Sequence, residues 1–135
     1  MQPAPQATGA FIPAIAARTN VFNGAQWVPF VETKYDGTTI HIDCRKGNNW
    51  RIVLKNNATL KFLHKVDGWV GNVQLVQNSS GNHTIALPDI DTGAAGPPTL
   101  STAANAFDIL SFMVCRTGGG LKMTLQGSAL GFSDV

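Results

Sequence analysis

The chain reads as all-β: a single antiparallel β-sandwich, jelly-roll-like, over residues 21–135, preceded by an extended N-terminal arm over residues 1–20. Three observations predict it. From Val21 onward, short runs rich in Val, Ile, Thr, Phe and Trp alternate with Gly, Asn and Asp, the pattern of strands punctuated by turns. In Thr39-Ile40-His41-Ile42-Asp43-Cys44 every second residue is apolar, so Ile40, Ile42 and Cys44 share one face. No longer window carries a helical period with caps at its ends.

The arm, MQPAPQATGAFIPAIAARTN, has no alternating pattern, and Pro3, Pro5 and Pro13 remove backbone donors and push their neighbours towards extended conformations. Phe11, Ile12 and Ile15 would be costly to leave in water, so they are candidate anchors, either on another subunit or folded back over the chain's own domain. Strands are expected near Trp27 to Glu32, Thr38 to Cys44, Trp50 to Lys55, Thr59 to Leu63, Trp69 to Gln77, His83 to Leu87, Phe107 to Arg116 and Leu121 to Gln126. Between them stand turn residues: Asp36-Gly37, Lys46-Gly47-Asn48-Asn49, Ser79-Ser80-Gly81-Asn82 and Gly118-Gly119-Gly120. Asn56-Asn57 is expected to close a tight hairpin, since Asn tolerates positive φ.

Pro88 to Ala106 breaks the rhythm, a long irregular segment of small residues stiffened by Pro97-Pro98. Such a loop is held by contacts with something else or is disordered, and Leu100 with Ser101 suggests pinning at its C-terminal end. Pro97, Pro98 and Leu100 therefore join the arm as candidate interface residues. The most apolar strand, Phe107, Ile109, Leu110, Phe112 and Val114, is placed at the centre of the core, with Leu60, Phe62 and Leu75 packed around it.

Composition narrows the function classes. Charged residues make up 13% of the chain, about half the usual share, which fits a surface partly covered by neighbours. A net charge of +2, from scattered Lys and Arg, is too weak for an electrostatic nucleic-acid binder. The start of the chain has neither a positive lead-in nor a long apolar run, so neither a secretory signal nor a membrane span is expected. Cys44 and Cys115 read as buried thiols acting as small hydrophobes, with a disulfide as the alternative.

Chemistry finds little purchase. His41, His64 and His83 lack metal spacing, and Asp89 with Asp91 is too few oxygens for calcium, so no metal or cofactor is expected. The glycine run at 118–120 lacks the Lys-Ser/Thr and helix of a phosphate loop. No nucleophile elbow or carboxylate pair stands out, and no catalytic residue is assigned. Trp27, Trp50 and Trp69 could stack on sugars, although packing is the commoner use of Trp beside apolar neighbours.

Residues Val73 to Phe112 carry an ordered set of elements. Leu75-Val76-Gln77 ends a strand, and Gly81-Asn82-His83-Thr84-Ile85 leads to Pro88. Gly93 and Gly96 follow, then Pro98-Thr99-Leu100-Ser101, Ala104-Asn105 and Asp108-Ile109-Leu110-Ser111-Phe112. This order resembles a β-rich module of tailed-bacteriophage virion proteins, found in tail fibres and other particle-surface proteins, with Ala58-Thr59-Leu60-Lys61-Phe62 similar to its preceding strand. Asp-Ile-Asp stands at 89–91, where the module usually has an aromatic. The resemblance implies a non-enzymatic virion structural protein that forms homo-oligomers, with a trimer favoured. An arm plus a compact domain suits a capsid decoration (cement) protein or head-fibre base. It would be made in the host cytoplasm, sit on the particle surface, and bind the major capsid or other virion proteins. The alternative is a tail-fibre or receptor-binding module for bacterial surface glycans.

Overall fold

The computed structural model describes residues 27–134; the candidate anchors Phe11, Ile12 and Ile15 lie outside them. The described chain is all-β, with eight strands and no helix among its residues: β1 (Phe30–Thr33), β2 (Thr39–Asp43), β3 (Asn49–Leu54), β4 (Ala58–Leu63), β5 (Val70–Gln77), β6 (Ile85–Ala86), β7 (Ala106–Thr117) and β8 (Gly120–Ser133). The positions follow the alternation in the sequence. The pairing does not follow the antiparallel expectation.

Odd-numbered strands join β8 in one sheet, in the order β1-β3-β5-β7-β8, and β2-β4-β6 form a second. Here these are sheet A and sheet B. The pairs β1–β3, β3–β5, β2–β4 and β4–β6 are all parallel. The chain therefore passes from one sheet to the other and back, laying each turn beside the last. Partners such as Phe30 with Asn49, Asn49 with Asn72, and Ala58 with Ile85 put about 20 to 27 residues in each turn, within the range of stacked repeats. Only β5–β7 and the long β7–β8 hairpin are antiparallel. A jelly-roll connectivity is thus absent from the described residues. Sheet B is wholly parallel and sheet A is mixed.

Asn56-Asn57 shows why the hairpin expectation fails. β3 and β4 lie in different sheets, so this link is a corner of the coil and not a return onto the neighbouring strand. Asn56 Nδ2 donates to the Gly37 carbonyl in the preceding corner at 2.8 Å, while Asn57 Oδ1 accepts from Thr84 N–H in the following one at 2.9 Å. Two short polar side chains thereby satisfy backbone groups of successive corners. The Gly118-Gly119 link does form the tight β7–β8 hairpin, with Thr117 opposite Gly120.

The core lies between the sheets. Ile40, Ile42 and Leu60 from sheet B meet Trp50, Ile52, Val73, Leu110, Phe112 and Val114 from sheet A, all buried. Each large aliphatic or Phe side chain buried this way contributes about 1.5–3 kcal/mol. Phe62 is half-buried and packs against both Trp69 and Phe112, with ring centroids 5.8 and 5.0 Å away. Leu60, Leu75, Leu110 and Phe112 sit in the core, but Phe107 and Ile109 are half-buried on the opposite face of β7. Strand geometry requires this. With Leu110 and Phe112 facing in, the residues of opposite parity face out, and the inward companion of Leu110 is the carboxylate of Asp108, 2% exposed.

Sheet B has three strands against five, so the inner side of β7 and β8 needs another cover. The irregular segment supplies it. At its start, Asp91 flanks β8, donating its N–H to Met123 O at 3.0 Å and accepting from Leu125 N–H at 2.9 Å. At its end, Ser101 is fixed by Asp108 and Gln77.

Candidate assembly surface

The outer face of sheet A is uncovered among the described residues, and parallel register sorts it into rows. One row is polar: Asn49, Asn72 and Ser111 are neighbours across β3, β5 and β7. Ser111 Oγ donates to Asn72 Oδ1 at 2.6 Å, Asn72 Nδ2 to Asn49 Oδ1 at 3.1 Å, and Asn49 Nδ2 to Val28 O at 2.9 Å. The amides line up because each turn of the coil places like positions side by side.

The next row is charged, with one guanidinium held between two carboxylates. Arg51 reaches Glu32 at 3.6 Å and Asp134 at 3.4 Å, and donates to Gln74 Oε1 at 3.0 Å. The row beyond is apolar: Val53, Val76, Phe107 and Phe132. Phe107 and Phe132 stack at 5.0 Å, and beside them Val76 is buried although its parity directs it outward. On the far side of the polar row lie Val70 and Met113, paired across β5 and β7. Phe30, Val53, Val70, Met113 and Phe132 are between 36% and 49% exposed. One sheet face thus carries five large apolar side chains open to solvent, a concentration that marks binding surfaces more often than free ones.

Between the polar row and the Val70 flank runs an open groove of about 650 Å³. Asn48, Asn49, Asn72, Ser111 and Gln126 supply its polar groups, Val28, Val70 and Met113 its apolar walls, and none of its lining residues is charged. Asn48 is tied down through Nδ2 to Val70 O at 2.6 Å. Gly71 in the groove is obligatory in size: a Cβ there would lie 2.4 Å from the Trp69 ring and 2.5 Å from Asn48 O.

The residues singled out from sequence distribute unevenly. Pro97 is exposed, Pro98 half-buried, and Leu100 packs partly against the core of its own domain. Trp50 and Trp69 are buried, whereas Trp27 is 78% exposed. Cys44 and Cys115 are free thiols; burial pushes the Cys44 thiol up to about 11, out of the reactive range. His41, His64 and His83 do not converge, and among the described residues no group of three His, Cys, Asp or Glu stands together to hold a metal. Asp91 is a turn residue, accepting from Gly93 N–H at 2.8 Å and paired with Lys122 at 3.1 Å; the Gly93 bond foremost lowers its carboxyl pKa.

Two features escaped sequence reasoning. The polar row was signalled only by Asn recurring one turn apart, which has meaning once the turn length is known. Gln77, buried at the end of β5, gave no signal beyond being polar at an inward position. Among the described residues no helix is long and apolar enough to cross a membrane. No protein-family model, curated protein or solved structure matches the chain.

Proposed function

We propose that the chain is a structural protein of a tailed-phage particle, a capsid decoration or head-fibre-base module that packs against copies of itself and other particle proteins. The observation that carries this reading is the outer face of sheet A, where five open apolar side chains flank charges already paired with near neighbours. Such a face loses apolar hydration on contact without stranding an unpaired charge. Low overall charge and the ordered elements from Val73 to Phe112 support the same reading. The test is to add tagged full-length chain to particles lacking it and locate the label by electron microscopy. Wild type should decorate particles at fixed positions. A Val53→Glu, Val70→Glu double variant, changed at exposed sites, should stay folded by circular dichroism and fail to bind. Equal decoration by the variant would remove this face from the account, and no decoration by wild type would end the reading.

A second reading, glycan recognition, is favoured by the uncharged amide-lined groove with Trp27 exposed near its Val28 wall. Asn48 and Gln126 fix their amide nitrogens on Val70 O and Thr124 Oγ1, which leaves their amide oxygens to accept from a neutral polyhydroxyl ligand, and the apolar walls suit its C–H faces. Binding to a glycan array that persists in an Asn72→Ala, Trp27→Ala variant would remove it.

A further inference from the structure

We propose that Asp36-Gly37, at the corner between β1 and β2, is a site of spontaneous backbone isomerisation, where aspartate converts to isoaspartate through a cyclic imide as the protein ages. This site is independent of how copies associate.

The chain has two Asp-Gly steps, Asp36-Gly37 and Asp67-Gly68. All four residues are exposed, and both glycines adopt positive φ, 65° and 83°. Glycine has no side chain to crowd the approach of its own nitrogen to the preceding carboxyl. The other aspartates are followed by larger residues, Cys44, Ile90, Thr92, Ile109 and Val135. The fold treats the two Asp-Gly steps differently. Gly68 N–H donates to Val114 O at 3.0 Å, and the Asp67 carboxylate accepts from Arg116 Nε at 3.0 Å. Both reacting groups there are engaged. Gly37 N–H has no hydrogen-bond partner among the described residues. The Asp36 side chain is fully exposed, and its ion-pair partner Lys55 Nζ stands 3.8 Å away, beyond hydrogen-bond distance. Its neighbours are fixed: Lys55 N–H donates to the Tyr35 hydroxyl at 2.9 Å, and Asn56 Nδ2 to Gly37 O at 2.8 Å. The corner holds its flanks and leaves the reacting pair free.

In the first step the Gly37 nitrogen bonds to Asp36 Cγ, and the carboxyl hydroxyl departs as water with the amide proton. No oxidant or reductant is needed. Water then opens the imide at either carbonyl. One opening returns aspartate; the other gives isoaspartate, in which the main chain runs through Cβ and Cγ. Isoaspartate therefore lengthens the corner by one methylene. The carbonyls just beyond it, Gly37 O and Thr38 O, accept from Asn56 Nδ2 and Thr59 N–H, each at 2.8 Å. The extra length acts on the bonds that tie the β1–β2 corner to the β3–β4 corner.

The test uses the full chain, kept folded in mildly acidic buffer for several weeks and then digested with trypsin. The peptide Tyr35–Arg45 should separate into two species of equal mass, the new one shown to carry isoaspartate by electron-transfer fragmentation. Conversion at Asp67 should be about tenfold slower, since its nitrogen must give up a hydrogen bond and its carboxylate an ion pair. In urea, with the fold gone, the two sites should convert at similar rates. Asp36→Glu keeps the charge but does not readily close the ring, and should abolish the second species. Aged wild type should melt below fresh protein, and aged Asp36→Glu should not. Folded protein that converts equally at both sites, or faster at Asp67, would overturn the assignment, as would a Tyr35–Arg45 peptide that converts only in urea. A second species persisting in Asp36→Glu would place the reaction at Asp43 and overturn it too. An isomerised chain with an unchanged melt would overturn the loosening of the corner.

Discussion

Gln77 and Asp108 grip the same residue, Ser101, from two sides. Ser101 N–H donates to Asp108 Oδ2 at 2.7 Å, and Ser101 O accepts from Gln77 Nε2 at 3.0 Å. Asp108 Oδ1 also accepts from Gly131 N–H at 2.8 Å, and Gln77 bonds both the N–H and the carbonyl of His83. Two buried polar side chains thus fasten the irregular segment, the β5–β6 link and the end of β8 at a single point. Asp108→Ala should leave two backbone donors without acceptors and cost about 2–4 kcal/mol in denaturant unfolding. Limited proteolysis should then cut first between Thr92 and Leu100. A variant as stable as wild type would show that water replaces the carboxylate at no cost.

Parity along β7 separates two kinds of substitution. Leu110→Asp and Phe112→Asp place an unpaired charge in the core and should abolish folding, seen as loss of the β signal in circular dichroism. Ile109→Asp, next to Leu110 in sequence but on the half-buried outer face, should give soluble folded protein. Equal damage at all three positions would mean that the outer face is already covered.

Gly71→Ala should destabilise by about 1–3 kcal/mol or more, because the added methyl meets the Trp69 ring and Asn48 O inside contact distance. Gly119→Ala, whose Cβ would find its nearest atom at 3.9 Å, is the matched control and should be close to neutral. Thermal melts of the two variants side by side decide it.

Acid sensitivity has a nameable contributor. Asp43 accepts from Arg45 through the side chain at 3.2 and 3.0 Å and through the backbone N–H at 3.0 Å, which holds its carboxyl at about 2, below the ordinary 3.8. Because the folded value is the lower one, the stabilisation is complete above about pH 4 and is lost as pH falls towards 2. The melting temperature should fall across that window, and Asp43→Asn should flatten part of the fall. The effect is small, since Arg45 is largely exposed. An unchanged slope in Asp43→Asn would assign the loss to other carboxylates.

The strands were legible because alternation of apolar and polar residues reports which face of a sheet each side chain occupies, and Ile40, Ile42, Leu60 and Leu110 all obey it. Alternation carries no information on which strand lies alongside. Lys55-Asn56-Asn57 between two strands is equally good as a hairpin or as a corner, and only long-range pairing, Ala58 beside Ile85 and Asn49 beside Asn72, decides between them. The core list failed where hydrophobicity outweighed parity: Phe107 and Ile109 are apolar but point away, while Asp108 points in and is satisfied by backbone donors. The second half of β8 was missed because Gly127, Ser128 and Gly131 look like a turn, and they are strand only because β7 runs long enough to pair with them. Of the surface, Trp27 was named in advance but packing was its favoured use, which its exposure contradicts; the amide row was not visible, since its members become neighbours only through the coil.

Each inner turn of the coil touches just the turn before and the turn after, through strands about 4.8 Å apart. Tandem copying of the stretch from Asn49 to Gly71 would therefore insert one more step without disturbing either end. Molecular length in such a protein is set by how many times one segment is repeated, so gene duplication alone would lengthen it while keeping the β7–β8 hairpin and the first step of the coil.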